Sequence, residues 1–127
     1  MSKVTKRSAR KHADRLFSEL VRSLGYCERC GGTHYLQTAH IVSRKYGMTR
    51  TNFKNAFCIC SRCHREFHDF PREFSHFITD SQLAPYYDEV LQLARSGGKM
   101  DWMMEVERLK QLKEFGWDLK ELRDMQG

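Results

Sequence analysis

The sequence of 127 residues lacks three features that would place it in a membrane, in a secreted protein or in a multidomain chain. No apolar run approaches the ~20 residues that span a bilayer. The basic N-terminus is not followed by an apolar stretch, which argues against a secretory signal. No internal repeat and no low-complexity linker divides the chain. We therefore expect a soluble single domain in the cytosol or nucleoid.

Positive charge is concentrated in the first part of the sequence. Residues 1–77 hold 15 Lys and Arg against 6 Asp and Glu, a net charge of +9, whereas residues 78–127 hold 7 against 10, a net charge of −3. A basic surface favours a polyanionic partner, most simply nucleic acid. A generally solvated charged face is the alternative, but the cysteine and histidine clusters lie in the positive part, which favours nucleic acid.

Hydrophobic periodicity predicts a mainly helical α+β fold. Residues 1–7 are expected to form a disordered basic arm, and residues 8–127 a single domain. Strands are predicted at 34–42 and 56–60, with a polar basic loop between them and a helix at 61–70 after them. The flanking helices are predicted at 8–24 and, in a C-terminal extension over 72–127, at 72–80, 84–98, 102–115 and 118–125.

Four of the five cysteines form two C-x-x-C pairs, Cys27–Cys30 and Cys60–Cys63. Each pair can present two sulfurs to one tetrahedral zinc ion, so the pairs predict a structural zinc site. Thiols stay reduced in the cytosol, which favours metal over disulfide. The alternatives are unligated buried cysteines or a redox pair, and a redox motif would need only one C-x-x-C. Cys58 alternates with Cys60 along the predicted strand and is expected to be a small apolar residue.

Three histidines and an asparagine form an ordered pattern around the predicted hairpin. His64 and His68 are four residues apart, which puts both imidazoles on one helical face, where one ion can reach both. His40 lies near the end of the first strand, and Asn55 ends the loop between the strands. A hairpin followed by a helix can bring these four side chains together.

These residues resemble the HNH endonucleases, also called His-Me finger or ββα-metal nucleases, and more narrowly the zinc-containing members found in bacteriophages. The resemblance covers residues 26–70, and its most specific part is the run N-A-F-C-I-C-S-R-C-H-R-E-F-H. It implies a ββα-metal hairpin–helix core with a four-cysteine zinc knuckle. It also implies a metal-dependent DNA endonuclease of the bacterial cytoplasm that leaves 5′-phosphate and 3′-hydroxyl ends, with phage or host DNA-processing proteins as further partners.

The resemblance also implies roles for single residues. His40 matches the general base, and Asn55 matches the asparagine that holds the loop and orients the base. His64 matches the histidine ligand of the catalytic metal, and His68 fits a second helical ligand. Many family members carry Asp or His before the base, where this sequence has Ala39, so the ion would be held by the two helical histidines alone or with Asn55. The ion would be Mg²⁺ or Mn²⁺, although imidazole ligands also admit Ni²⁺ or Zn²⁺.

Six basic residues near the implied site are expected to contact the DNA backbone. They are Arg44, Lys45, Arg50, Lys54, Arg62 and Arg65. Generic solvated charge is the alternative for each of them. The competing function is a non-catalytic zinc-binding module for DNA or protein, which accounts for the cysteines and the charge but not for the positions of the histidines.

Overall fold

The computed structural model describes residues 5–126, which form six α-helices and one two-stranded antiparallel sheet. The elements are α1 (Lys6–Arg22), β1 (Leu36–His40), β2 (Ala56–Cys60), α2 (Ser61–Asp69), α3 (Pro71–Asp80), α4 (Ala84–Arg95), α5 (Trp102–Phe115) and α6 (Leu119–Met125). The mainly helical α+β architecture is therefore confirmed. In this part of the chain, no helix combines the length and the apolar character that crossing a membrane would require.

The first helix begins two residues earlier than the sequence predicted. Thr5 occupies the N-cap, and its hydroxyl accepts a hydrogen bond from the Ser8 amide at 3.0 Å, which satisfies a free amide of the first turn. Lys6 and Arg7 of the predicted arm therefore lie in α1, and residues 1–4 of that arm lie outside the described residues. The buried residues of α1 recur at helical spacing. They are Ala9, Ala13, Leu16, Phe17, Leu20 and Val21.

The hairpin lies between two hydrophobic clusters because both faces of β2 are covered. Ala56 and Cys58 pack with residues of α1, α5 and α6, whereas Phe57 and Ile59 pack with residues of α2 and α3. Successive residues of a strand point to opposite faces, so all five residues of β2 are buried. A one-residue slip would exchange the two sets, and burial thus fixes the register in which His40 pairs with Ala56.

The first strand is shorter than predicted at both ends. Tyr35 has a φ of +54°, a left-handed conformation that cannot continue an extended strand. Beyond His40 the chain turns away from β2, and two 3-10 helices, Gly47–Thr49 and Phe53–Asn55, occupy the connection that was predicted as a loop. Helix α4 also ends before the predicted residue, since Gly97 adopts a φ of +75° just after it.

A buried ion pair joins the segment before β1 to the last helix. The side chains of Glu28 and Arg123 are each 2% exposed, and the guanidinium donates to both carboxylate oxygens, at 2.7 and 2.8 Å. Glu28 also accepts from the Cys58 amide at 2.8 Å, and Arg123 donates to the Ala56 carbonyl at 2.8 Å. The pair therefore fixes the first C-x-x-C turn and α6 against the same strand, β2.

Removal of one partner of this pair should strongly destabilise the fold. Glu28→Gln leaves the Arg123 guanidinium buried without a counter-charge, which typically costs about 3–5 kcal/mol in the free energy of unfolding. Glu19→Gln is the matched control, because it breaks a largely exposed pair with Lys113 and should cost no more than about 1 kcal/mol. Urea denaturation measures both values. Equally small losses would show that the buried pair does not support the fold.

Candidate functional site

A cavity of about 410 Å³ brings together residues of α1, the hairpin and α2. We refer to it as the His40 cavity. Its lining consists of Asp14, Phe17, Ser18, Thr38, Ala39, His40, Arg44 and His64. Two of the three residues that the sequence suggested as catalytic, His40 and His64, therefore reach one space from β1 and from α2.

The half-buried ring of His40 is oriented by a backbone carbonyl. Its Nε2 lies 2.9 Å from the Arg50 carbonyl oxygen. A carbonyl only accepts, so Nε2 carries the proton and Nδ1 of the neutral ring keeps its lone pair. Burial lowers the pKa of His40 below its ordinary value of 6.5, and the nearby positive charges of Arg44 and Arg50 act in the same direction. The imidazole is consequently neutral at neutral pH, which is the form that can accept a proton.

An ion pair from α1 holds the segment that carries this carbonyl. Arg50 donates to the two carboxylate oxygens of Asp14 through Nε at 2.8 Å and Nη2 at 2.6 Å. Its Nη1 donates to the Arg44 carbonyl at 3.0 Å. Arg50 was expected to contact DNA, and in the structure its guanidinium is bound by Asp14. The sequence carried no signal for Asp14, because the partners are 36 residues apart.

Asn55 is fully buried and uses its whole side-chain amide to close the connection between the strands. Its Oδ1 accepts from the Val42 amide at 2.7 Å. Its Nδ2 donates to the carbonyls of Val42 at 3.1 Å and Thr49 at 2.9 Å. These bonds match an asparagine that holds the loop. Asn55 is not among the residues that line the His40 cavity, and its role beside the helical histidines on the ion stays a prediction.

His64 and His68 lie one turn apart on α2, but only His64 lines the His40 cavity. Gln37 Oε1 lies 2.6 Å from His64 Nδ1, so Nδ1 carries the proton and Nε2 keeps the lone pair that a metal would use. Burial and the charge of His68 lower the pKa of His64, which favours the neutral form. His68 is exposed. Among residues 5–126, no three His, Cys, Asp or Glu side chains converge at these two histidines.

The cysteine cluster, defined as Cys27, Cys30, Cys60 and Cys63, has the geometry of a metal site. Its four sulfurs all lie within 4.8 Å of one another, and none is in a disulfide. An ion with tetrahedral metal–sulfur bonds of about 2.3 Å holds its sulfurs about 3.8 Å apart. The sulfurs of Cys30 and Cys60 are 3.8 Å apart. The cluster could therefore hold one metal ion such as zinc.

The cysteine cluster and Cys58 lie in different surroundings. The Gly32 amide donates to the Cys30 sulfur at 3.4 Å, and this bond together with those to the neighbouring cysteines lowers the pKa of Cys30 to about 6, which favours its thiolate. Burial raises the pKa of Cys63 in the same cluster. Cys58 is fully buried in the cluster formed with α1, α5 and α6, and burial raises its pKa to about 11. Cys58 therefore behaves as the small apolar residue that the sequence predicted.

The six cations that were expected to contact DNA fall into two groups. Arg50 and Lys54 are engaged within the protein, the latter by both carboxylate oxygens of Glu89 at 3.0 and 3.1 Å. The other four have exposed side chains. They are Arg44, Lys45, Arg62 and Arg65. Among these four, only Arg44 lines the His40 cavity, whereas hydrogen bonds to the sulfurs of Cys30 and Cys63 raise the pKa of Arg62.

Loss of one ligand of the cysteine cluster should remove the bound metal and much of the stability. Structural zinc supplies on the order of 10 kcal/mol of apparent binding free energy in small zinc modules. Cys63→Ser should therefore abolish the single tightly held ion and unfold much of the chain. Cys58→Ser is the control and should keep one ion per chain. Elemental analysis after dialysis measures this content. A wild-type protein that holds no metal and stays folded under strong chelation would contradict the assignment.

The chain was compared with protein families, curated proteins and solved structures. Residues 27–70 match the family model described as HNH endonuclease. No curated protein and no solved structure matches the chain. The matched segment contains His40, Asn55, His64 and the cysteine cluster, but not Asp14 or α6. The broader resemblance to HNH endonucleases is thus confirmed as a match of residues 27–70 to that family model, whereas the narrower resemblance to zinc-containing bacteriophage members stays a prediction.

Proposed function

We propose that the protein is a metal-dependent DNA endonuclease that hydrolyses phosphodiester bonds at the His40 cavity. The observation that carries the proposal is the convergence of His40 and His64 on this cavity within the HNH segment. HNH nucleases act on DNA, and the exposed Arg44 at the cavity adds a positive charge that suits a phosphate.

His40 acts as the general base in this proposal. With Nε2 donating to the Arg50 carbonyl, Nδ1 is free to take a proton from a water molecule. The oxygen of that water attacks the phosphorus, and the bond between phosphorus and the 3′-oxygen breaks. The leaving oxygen takes a proton from solvent, which yields 5′-phosphate and 3′-hydroxyl ends.

Asn55 contributes by holding the connection that faces the base. Its three hydrogen bonds to backbone groups fix the chain around Val42 and Thr49. The Asp14–Arg50 pair fixes the next turn of the same connection. We propose that these contacts together keep the Arg50 carbonyl in place and thus hold the His40 ring in the productive tautomer.

His64 is the proposed protein ligand of the catalytic ion, with His68 as a second ligand from the same helix. The lone pair on His64 Nε2 and the hydrogen bond from Nδ1 to Gln37 fit a metal-ligating imidazole. When bound, a divalent ion such as Mg²⁺, Mn²⁺, Ni²⁺ or Zn²⁺ would stabilise the charge that develops on the phosphate and the leaving oxygen. Water and the substrate phosphate would complete its coordination.

Substitution of the two cavity histidines should separate the base from the ligand. His40→Ala should keep the fold and the affinity for Mn²⁺ but lower the cleavage rate by about a hundred- to ten-thousand-fold, the usual value of a positioned base. His64→Ala should also abolish cleavage, but through weakened Mn²⁺ binding. Plasmid nicking gives the rates, and titration calorimetry gives the metal affinities.

His76→Ala is the matched control for both substitutions, since His76 is a histidine of α3 outside the His40 cavity. It should leave both nicking and Mn²⁺ binding unchanged. The assignment is wrong if His40→Ala cleaves at the normal rate. It is also wrong if the loss of His40 removes the Mn²⁺ affinity while the loss of His64 does not.

The pH dependence of cleavage should follow the lowered pKa of His40. The base must be neutral, so activity should fall as the pH drops through this pKa, below 6.5. The charge of Asp14 raises the pKa of His40, so Asp14→Asn should move the acidic limb to still lower pH and reduce the maximal rate. Asp124→Asn, which removes an exposed carboxylate of α6, should leave the profile unchanged. An acidic limb that does not move in Asp14→Asn would contradict the coupling.

A non-catalytic zinc-binding module for DNA or protein is the second candidate. The observation that favours it is that the cysteine cluster gathers more metal-ligand side chains than the His40 cavity does. Within residues 5–126, metal-ligand side chains converge in a group of four only at the cysteines. Normal DNA binding without cleavage by any of the divalent ions would support this candidate. Five further expectations stay predictions under either function. They are zinc at the cysteine cluster, a bacteriophage-type origin, DNA-processing partners, a cytoplasmic location near the nucleoid and a single domain over 8–127.

A further inference from the structure

Helix α1 carries a row of side chains that leads from its first turn into the His40 cavity. Arg7, Lys11, Asp14 and Ser18 are spaced by four, three and four residues, so they lie on one helical face. The first two, together with Arg15, line a second surface cavity of about 430 Å³. The last two line the His40 cavity. One helix face therefore connects a basic surface to the proposed site of cleavage.

The cations of this face are not engaged within the described part of the chain. Arg7, Lys11 and Arg15 are all exposed, and no carboxylate between residues 5 and 126 lies within 4.0 Å of their charged nitrogens. The single acidic residue of the row, Asp14, is paired with Arg50 through two hydrogen bonds. Its charge is thus balanced and opposes an approaching phosphate chain only weakly.

We propose that this face of α1, which we call the α1 cationic face (Arg7, Lys11 and Arg15), binds the backbone of duplex DNA and guides it into the His40 cavity. The inference rests on the proposed function, since a polynucleotide is the substrate that it positions. The face lies outside the HNH segment at 27–70 and therefore adds a binding surface to that domain.

The dimensions of the row fit several nucleotides. From Arg7 to Ser18 the helix rises by about 16 Å at 1.5 Å per residue. Duplex DNA advances by 3.4 Å per base pair, so this length corresponds to about five base pairs on one side of the scissile bond. A phosphate backbone that runs along the helix can contact the three cations in succession.

The test is the salt dependence of binding to a 30-base-pair duplex without added divalent metal, so that the DNA stays intact. Each phosphate contact that is lost lowers the slope of log affinity against log salt by about 0.9. The triple variant Arg7→Gln, Lys11→Gln, Arg15→Gln should therefore lower the slope by about 2.7 and weaken binding at least tenfold at low salt. The single variant Lys11→Gln should lower the slope by about 0.9 and serves if the triple variant folds poorly.

A matched control removes the same charge from another part of the protein. Lys99, Lys110 and Lys120 are exposed and lie outside the lining of both cavities. Their replacement by Gln should leave the slope near the wild-type value. The proposal fails if the α1 variants keep the wild-type slope. It also fails if the control triple variant lowers the slope as much, because the effect would then report net charge and not this face.

Cleavage measurements separate this inference from the proposed function. The α1 triple variant should raise KM while kcat stays close to wild type, because the face binds DNA away from the reacting phosphate. Shortening the duplex to fewer than about five base pairs on one side of the cut should remove the difference between variant and wild type. If the wild type binds through α1 but never cleaves, the endonuclease proposal fails and this inference stands. If the variant cleaves at the wild-type rate at low substrate concentrations, this inference fails while the endonuclease proposal stands.

Discussion

The buried pair of Glu28 and Arg123 is the interaction on which the arrangement of the site depends. Burial of two charges is costly, and it is tolerated only when further hydrogen bonds satisfy both groups. Both groups are satisfied here. Glu28 also accepts from the Cys58 amide, and Arg123 donates to the carbonyls of Phe53 and Ala56. One pair thereby fixes the first C-x-x-C turn, the start of β2 and the last helix. One half of the cysteine cluster comes from this turn, and the other comes from the last residue of β2, Cys60, and from the first turn of α2, Cys63.

The elements outside the HNH segment hold that segment through further charged contacts. Asp14 of α1 holds Arg50. Glu105 of α5, which is 5% exposed, accepts from the Thr51 hydroxyl and from Arg108. Both contacts reach the connection between the strands, where the Arg50 carbonyl meets the His40 ring. A short hairpin has little core of its own to fix such a connection, so the flanking helices hold it in place, as the proposed catalytic geometry requires.

Local patterns made much of the fold predictable. Paired cysteines, helix caps and apolar spacing each depend on residues close in sequence, and they gave β2, α5 and the cysteine cluster. The engagement of Arg50 and Lys54 could not be predicted, because their partners are 36 and 35 residues away and composition alone does not show which cations are paired. The short β1 also escaped prediction, since the left-handed Tyr35 is not a residue type that usually signals a turn.

The His40 cavity has little negative charge to offer a divalent ion. Ala39 offers no ligand atom at the position where the resemblance implies Asp or His, and the one acidic side chain in the lining, Asp14, is already paired with Arg50. The proposed ligands are imidazoles, which when neutral do not offset the charge of a divalent ion as a carboxylate does. Under the proposed function, the missing negative charge comes from the DNA phosphate. Ion and DNA should then bind more tightly together than separately, and linkage makes this coupling equal in both directions. Under the same proposal, Ala39 leaves the cation weakly held without substrate, and the α1 cationic face would contribute to its retention by holding the DNA in place.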